Sequence, residues 1–343
     1  MRFLVAAGGT GGHILPALAL ASELMKAGHD LCWLGRADGM EADLVKRAGF
    51  RFTPVPAARL PGRRLHRAPG WLAATLRGVA VSGAAIRDER ADALVAAGGY
   101  VSVGPLVAAR LQRLPYFLLE QNRRPGRVTR MFAPGARRVF CGFPPEPGLR
   151  ADVEVTGNPL RPGPAAGQRA DDGRTVLVLG GSLGARALSL AALDAAAALT
   201  NLRFTILTGH RDYALVKSRV RSANCELVEF TDRPEELYRQ ATIAVSRAGG
   251  MVLSELVASG IPAILVPYPH ATDRHQDANA EWLASNGAAI TLDQARLSGL
   301  TVTIRGLIDD DERRSRMSAA ARRLALPGAG AAIAERMGEC LAA

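Results

Sequence analysis

Aromatic residues make up only 5% of the chain, so Leu, Val and Ala must fill the core. Cysteine is scarcer still. The four, Cys32, Cys141, Cys225 and Cys340, stand more than 80 residues apart. That spacing excludes a CxxC pair, a zinc pattern and a disulfide framework, and it fits a reducing compartment. No apolar run reaches the roughly 18 residues that a membrane-spanning helix needs. Arg2 followed by Ile14–Ala21 has the outline of a signal peptide, but Gly8–Gly12 interrupts the apolar stretch. The chain has no Gly-Lys dipeptide, which excludes a Walker A loop. Carboxylates are absent between Asp43 and Asp88.

What is present is globular. At about 150 residues per domain, 343 residues suggest two domains. The 48% hydrophobic and 22% charged residues rule out a disordered or collagen-like chain. The net charge of +11 is unevenly placed. Residues 1–160 hold 22 Lys and Arg against 12 Asp and Glu, and the rest hold 21 against 20. The acid-free stretch alone carries nine basic residues. An anionic partner on the first half is the natural reading, with an Arg-rich genome bias as the bland one. Within this stretch Arg63, Arg64 and Arg67 precede Trp71, Leu72, Thr75, Leu76 and Val79, which share one helical face. Cationic heads beside such a face suit a helix lying on anionic lipid. The competing reading packs that face into the core. Nucleic acid is disfavoured, since no recognition motif or stacking platform is present.

Short apolar runs alternate with helical patterns. Arg2–Ala7, Leu31–Leu34, Ala93–Ala97, Tyr116–Leu119 and Val139–Cys141 read as strands. The pattern restarts after Arg161–Gly167, of linker composition, with Thr175–Leu179, Arg203–Leu207, Glu226–Phe230, Thr242–Ser246 and Pro262–Val266. Continuously apolar strands separated by helices predict parallel sheets covered on both faces. His13–Ala27 reads as a helix that stops at Gly28, and Ala331–Leu341 as a terminal one. The expected architecture is α/β, two doubly wound parallel-sheet domains in tandem with a cleft between them. The first spans 1–160, with residues 331–343 as a candidate helix packing back on it, and the second spans 161–330.

Each half opens with a strand followed by glycines: Gly8-Gly9-Thr10-Gly11-Gly12 in one, Gly180-Gly181-Ser182-Leu183-Gly184 in the other. Glycine lets the backbone approach a phosphate, and the following helix offers unpaired N–H groups and its positive end. Neither loop completes GxGxxG, which weakens a dinucleotide oxidoreductase. A third junction is Arg247-Ala248-Gly249-Gly250. Glu255 follows it, as a carboxylate for a ribose diol or simply as a complement to the helix dipole.

Seven motifs now stand in order. They are Gly8–His13, Met40–Val45, Gly98–Ser102, Glu120-Gln121-Asn122, Gly157–Arg161, Gly180–Arg186, and Asp273–Gln276 continuing to Asn279-Ala280. The set covers nearly the whole chain and closely resembles the MurG family of lipid II-forming UDP-N-acetylglucosamine transferases. The resemblance implies the GT-B fold, two Rossmann-like domains facing across a cleft. It implies transfer of GlcNAc from UDP-GlcNAc to the 4-hydroxyl of MurNAc in lipid I with inversion, at the cytoplasmic membrane face. Thr10, Gly11, Gly12 and Tyr100 then match substrate-contacting positions of the first domain. Asn122 matches a donor-sugar contact, and Arg161 a basic residue at the domain junction. Ser182 matches a phosphate contact and Thr231 a backbone contact to uracil. Gly250, Met251, Val252, Leu253, Ser254 and Glu255 match the junction for phosphates and ribose, and Gln276 the amide that binds GlcNAc. Two positions depart from the pattern: Leu119 replaces the usual His, and Val252 the usual Thr.

Inverting transfer needs a base and a means of meeting the charge of departing UDP. His13 is the base candidate, with contact to the acceptor diphosphate as its alternative role. Glu120 is the second base candidate, or else a structural hydrogen-bond acceptor. Two helix N-termini suffice for the leaving group, so no metal or other cofactor is expected. Asp309-Asp310-Asp311 reads as a solvated face. The expected partners are UDP-GlcNAc, lipid I and an anionic membrane surface, with cell-wall synthesis proteins as further candidates and no nucleic acid. Peripheral membrane attachment is expected. A soluble GT-B enzyme, a UDP-GlcNAc 2-epimerase and a non-catalytic sugar-nucleotide-binding scaffold are the competing readings.

Overall fold

The computed structural model describes residues 1–59, 61, 66, 68–161, 172–181 and 184–342. The chain divides into two compact units, 1–161 with 328–343, and 162–327.

The first unit is built on seven strands: β1 (Arg2–Ala6), β2 (Asp30–Gly35), β3 (Arg51–Pro54), β4 (Ala93–Ala96), β5 (Tyr116–Glu120), β6 (Arg138–Cys141) and β7 (Val153–Val155). They form one sheet in the order β3-β2-β1-β4-β5-β6-β7. Every pairing is parallel. The connecting helices are α1 (Gly11–Lys26), α2 (Met40–Arg47), α3 (Ala68–Asp88), α4 (Val103–Leu111) and α5 (Arg127–Phe132).

The sheet is apolar on both faces, which is why its inner strands read as unbroken apolar runs. Phe3, Val5, Trp33, Val95 and Phe117 pack with Ile14, Leu20 and Leu24 of α1. Leu4, Ala6, Leu34, Leu94 and Leu118 point the other way and pack with Ile86 of α3 and Leu106 of α4. The crossing of α3 and α4 is close because both contribute glycine. A Cβ on Gly104 would stand 3.0 Å from the backbone of Gly78, and one on Gly78 would stand 2.4 Å from the Pro56 carbonyl oxygen.

The second unit repeats the plan with β8 (Thr175–Leu179), β9 (Arg203–Leu207), β10 (Cys225–Val228), β11 (Ile243–Ser246), β12 (Ala263–Leu265) and β13 (Ala289–Thr291). Their order is β10-β9-β8-β11-β12-β13, again all parallel. Its helices are α6 (Arg186–Ala198), α7 (His210–Lys217), α8 (Pro234–Gln240), α9 (Gly250–Ser259), α10 (His275–Ser285), α11 (Leu300–Ile308) and α12 (Asp311–Leu324). The last helix, α13 (Ala329–Ala342), belongs to the first unit, where Ile333 and Met337 join the α1 side of the core.

In both sheets the strand order reverses beside the first strand, between β1 and β4 and between β8 and β11. Open α/β sheets bind ligands outside the carboxyl ends of their strands at this switch point. The linker residues 162–167 lie outside the described residues.

Candidate active site

In the first unit the loop after β1 and the loop after β4 meet at the switch point. Gly9 has φ +83°, and Thr10 then turns extended (φ −151°, ψ 153°) to begin α1. The Thr10 carbonyl accepts the His13 N–H at 3.1 Å, and the Thr10 Oγ1 lies 3.0 Å from His13 Nδ1. No side chain caps α1. The His13 ring lies against the backbone of Gly98 and Gly99, both with positive φ. A Cβ on Gly99 would come within 3.2 Å of that ring. Glycine is therefore needed here both for conformation and for the close approach. Tyr100 covers Gly9: a Cβ there would stand 2.8 Å from its ring. The Tyr100 hydroxyl accepts from Arg36 Nη1 at 2.7 Å, and the Arg59 guanidinium lies 5.5 Å from the ring centroid.

Glu120, the second base candidate, lies at the end of β5. It is 3% exposed. Its Oε1 accepts from the Asn122 N–H at 3.0 Å and from Asn122 Nδ2 at 3.3 Å. Its Oε2 accepts from the Gly126 N–H at 2.9 Å and from the Thr129 hydroxyl at 2.6 Å. Both oxygens accept hydrogen bonds, so this carboxylate anchors the loop that carries Asn122. Burial, with a smaller contribution from the Glu120 charge, pushes the neighbouring Cys141 thiol up to about 12. Glu120→Ala is expected to strand these donors and cost about 3 kcal/mol. That corresponds to a fall in Tm of about 6–12 °C for a unit of this size. Thermal unfolding checks it: an unchanged Tm with a lost kcat would restore Glu120 as the base.

Leu119, at the position where the family pattern has His, is 2% exposed in the α1-side core and offers no polar group. Asn158 is buried and donates to the Gln121 carbonyl at 3.1 Å, which ties the Gly157–Arg161 motif to the Asn122 loop. Arg161 is exposed at the end of this unit.

In the second unit Ser182 lies outside the described residues. The rest of that loop leads into α6, which no side chain caps. The third junction is complete. Gly250, Met251 and Val252 form the first turn of α9, again without a side-chain cap, and Leu253 and Ser254 are buried behind it. Glu255 is half-buried, and its Oε2 accepts from the Tyr238 hydroxyl at 2.6 Å. The Gln276 Oε1 accepts the Ala248 N–H at 3.3 Å and the Tyr268 N–H at 2.8 Å. Its amide NH2 group has no hydrogen bond to a described residue, so it remains a donor for a hydroxyl. Asp273 and Arg274, separated from it by His275, both have positive φ, 51° and 54°. Left-handed backbone at two successive non-glycine residues is strain of the kind that collects at ligand sites. Thr231 caps its own turn, its Oγ1 accepting from the Arg233 N–H at 3.0 Å. Beside it Phe230 is 53% exposed and stacks on His210 with centroids 5.2 Å apart.

Two residues without a role in the sequence reading stand out. Arg247 is buried, yet it donates only to neutral acceptors: the Val266 carbonyl at 3.1 Å, the Pro267 carbonyl at 3.4 Å and Gln294 Oε1 at 2.6 Å. Burial pulls its pKa below the ordinary arginine value. A buried cation without a carboxylate partner among the described residues raises the positive potential beside the α9 N-terminus. Glu41 is its counterpart in the first unit. It is wholly buried and accepts the Gly9 N–H at 3.3 Å and the Arg36 N–H at 3.0 Å. The Glu in the Met40–Val45 motif was the signal for it.

Of the proposed lipid-facing residues, Arg63, Arg64 and Arg67 lie outside the described residues. On α3, Leu72 and Leu76 are 51% and 60% exposed and Trp71 is half-buried. Val79 instead packs against the core. The helix is docked by its second half, through Gly78, Ser82, Ala85 and Ile86, and leaves the apolar residues of its first half outward. Among the described residues no three His, Cys, Asp or Glu side chains are grouped to hold a metal. Asp310 caps α12, accepting the Arg313 N–H at 2.8 Å, and Asp311 pairs with Arg314. None of the described helices is long and apolar enough to cross a membrane.

Two doubly wound parallel sheets with glycine-rich strand–helix turns at their switch points define a nucleotide-binding α/β protein. The glycosyltransferase family 28 N-terminal domain matches residues 3–141, and the family's C-terminal domain matches residues 175–331. The chain belongs to glycosyltransferase family 28. A relative from Methylococcus capsulatus is 38% identical over 97% of both chains. One from Geobacter sulfurreducens is 36% identical over 98% of both. Each is named UDP-N-acetylglucosamine–N-acetylmuramyl-(pentapeptide) pyrophosphoryl-undecaprenol N-acetylglucosamine transferase. The crystal structure of Acinetobacter baumannii MurG superimposes with a TM-score of 0.79 at 27% identity, over 98% of this chain and 99% of that one.

Proposed function

We propose that this chain transfers GlcNAc from UDP-GlcNAc to the 4-hydroxyl of MurNAc in lipid I, with inversion, forming lipid II. The observation that carries this reading is the 38% identity to a transferase of that name along 97% of both chains. The site residues support it. In the first unit Thr10 and His13 serve the acceptor. With His13 Nδ1 donating to Thr10, Nε2 carries the lone pair that takes the hydroxyl proton. The acceptor oxygen forms a bond to the anomeric carbon, and the bond to UDP breaks with its electron pair leaving on the diphosphate. In the second unit the N-terminus of α9 and the buried Arg247 meet that charge. Glu255 takes the ribose diol, Gln276 the GlcNAc hydroxyls, and the Phe230–Thr231 segment the uracil.

UDP release, measured with UDP-GlcNAc alone and with a short-chain lipid I analogue, tests the reading. Release that requires the acceptor supports a transferase. Release without it points to a hydrolase or epimerase, and binding without release to a scaffold.

The exposed Leu72 and Leu76 beside Trp71, in the most basic stretch of the chain, support peripheral attachment to anionic lipid at the cytoplasmic face. Trp71→Ser with Leu72→Ser should weaken vesicle binding with little salt dependence, because insertion is an apolar effect. Arg63, Arg64 and Arg67 changed to Gln should remove about 1 kcal/mol each, and that loss should shrink as salt rises. Co-sedimentation with anionic vesicles over a salt series reads both. Wild-type binding by both variants would leave this segment without a membrane role.

A further inference from the structure

We propose that Glu41 is a positioning residue for the transfer step, acting on His13 through the first glycine loop; the inference rests on the reading of His13 as the base. Glu41 stands in the first turn of α2, behind the first glycine loop, and is not itself among the residues assigned to either substrate. Its side chain is wholly buried, and its two oxygens accept two backbone N–H groups, those of Gly9 and Arg36. No Lys, Arg or His among the described residues pairs with it. Burying a carboxyl group without a cation costs stability, and apolar packing would do better if packing were its only role.

Three glycines, one after β1 and two in the β2–α2 connection, make room for it. A Cβ on Gly8 would lie 2.2 Å from Glu41 Oε1, one on Gly39 2.3 Å from Oε2, and one on Gly35 2.9 Å from its side chain. From this point a closed circuit of contacts runs round the loop. Glu41 holds the N–H of Gly9, the residue whose left-handed turn aims Thr10 into the N-cap of α1. Thr10 holds His13 Nδ1. Glu41 also holds the backbone of Arg36, whose guanidinium holds the Tyr100 hydroxyl, and the Tyr100 ring lies on Gly9. One buried side chain thus sets both the turn that presents the imidazole and the aromatic lid over that turn. It uses the Gly9 N–H itself, so that donor is spent on the fold and not on a ligand phosphate.

Glu41→Ala should lower kcat about 100-fold, the scale on which small misplacements of a reacting group act, with the KM for UDP-GlcNAc nearly unchanged. Glu41→Gln, which keeps the shape and one acceptor, should recover most of the loss. A double-mutant cycle with His13→Ala, run under single-turnover conditions with thermal unfolding of each variant, is the test. If Glu41 acts through His13, then Glu41→Ala costs almost nothing further once the imidazole is gone. Losses that multiply in the double variant, or a Glu41→Ala that lowers Tm and leaves kcat intact, would overturn the role of Glu41 alone. A His13→Ala enzyme with full kcat would overturn the base reading and this inference with it.

Discussion

Replacing His13 with alanine should lower kcat by about a hundredfold to ten-thousandfold, the usual contribution of a general base, while UDP-GlcNAc still binds. The expectation comes from the way the ring is held. Thr10 Oγ1 lies 3.0 Å from Nδ1, and the glycines at 98 and 99 let the imidazole approach the backbone closely. The ring is half-buried, and thermal unfolding of the variant separates loss of chemistry from loss of fold. Pre-steady-state kinetics with a short-chain acceptor separates binding from chemistry. The acidic limb of the kcat–pH profile should vanish with the side chain. A variant that keeps this limb, or that loses donor affinity in place of kcat, would assign His13 to diphosphate binding.

The central strands of both sheets were legible because they are buried on both faces. β1, β2, β4, β5 and β8 each read as an apolar run, and each is almost wholly buried. The strands that the pattern does not reveal are β3, β7 and β13, and all three are sheet edges. They are three or four residues long and half-exposed: Arg51–Pro54, Val153–Val155 and Ala289–Thr291. An edge strand has one neighbour and partial cover, so neither an apolar run nor a long alternation marks it. Helix α1 illustrates the opposite case. Gly28, with φ +80°, donates its N–H to the Met25 carbonyl at 2.9 Å, the cap that glycine predicts.

The site was legible where chemistry sits in a local motif. Thr10 and His13 are three residues apart, and a strand–glycine–helix turn suffices to bring them together. Glu41 and Arg247 were harder to see, because their meaning depends on what surrounds them in space. A Glu in the first turn of a helix ordinarily faces solvent and complements the dipole. Only the three glycines from residues 8, 35 and 39 turn this one inward. Arg247 likewise reads as one more cation in a basic chain until burial among carbonyl oxygens makes its charge local. Glu120 is the converse. Its place in Glu120-Gln121-Asn122 left base and structural acceptor both open, and the structure surrounds it with four donors.

Alanine at Glu255 should raise the KM for UDP-GlcNAc far more than it lowers kcat. A carboxylate bonded to a ribose diol makes charge-assisted hydrogen bonds, and losing them costs about 1.5–3 kcal/mol. That is roughly a 10- to 150-fold weaker donor. The ribose lies remote from the bond that breaks, so the loss is uniform between ground and transition states and falls on KM. The Tyr238 hydroxyl, 2.6 Å from Glu255 Oε2, helps to orient the carboxylate. Tyr238→Phe should therefore raise KM by a smaller factor, since it removes the orientation and keeps the charge. The pair also separates binding from folding. Glu255→Ala takes an acceptor from the buried Tyr238 hydroxyl and should lower Tm, whereas adding Tyr238→Phe should return part of that Tm without restoring KM. Donor KM, kcat and Tm measured on the two single variants and the double one decide it. An unchanged KM with a collapsed kcat would move Glu255 to the reacting centre. A KM that recovers together with Tm in the double variant would make the carboxylate a packing partner of α8 and nothing more.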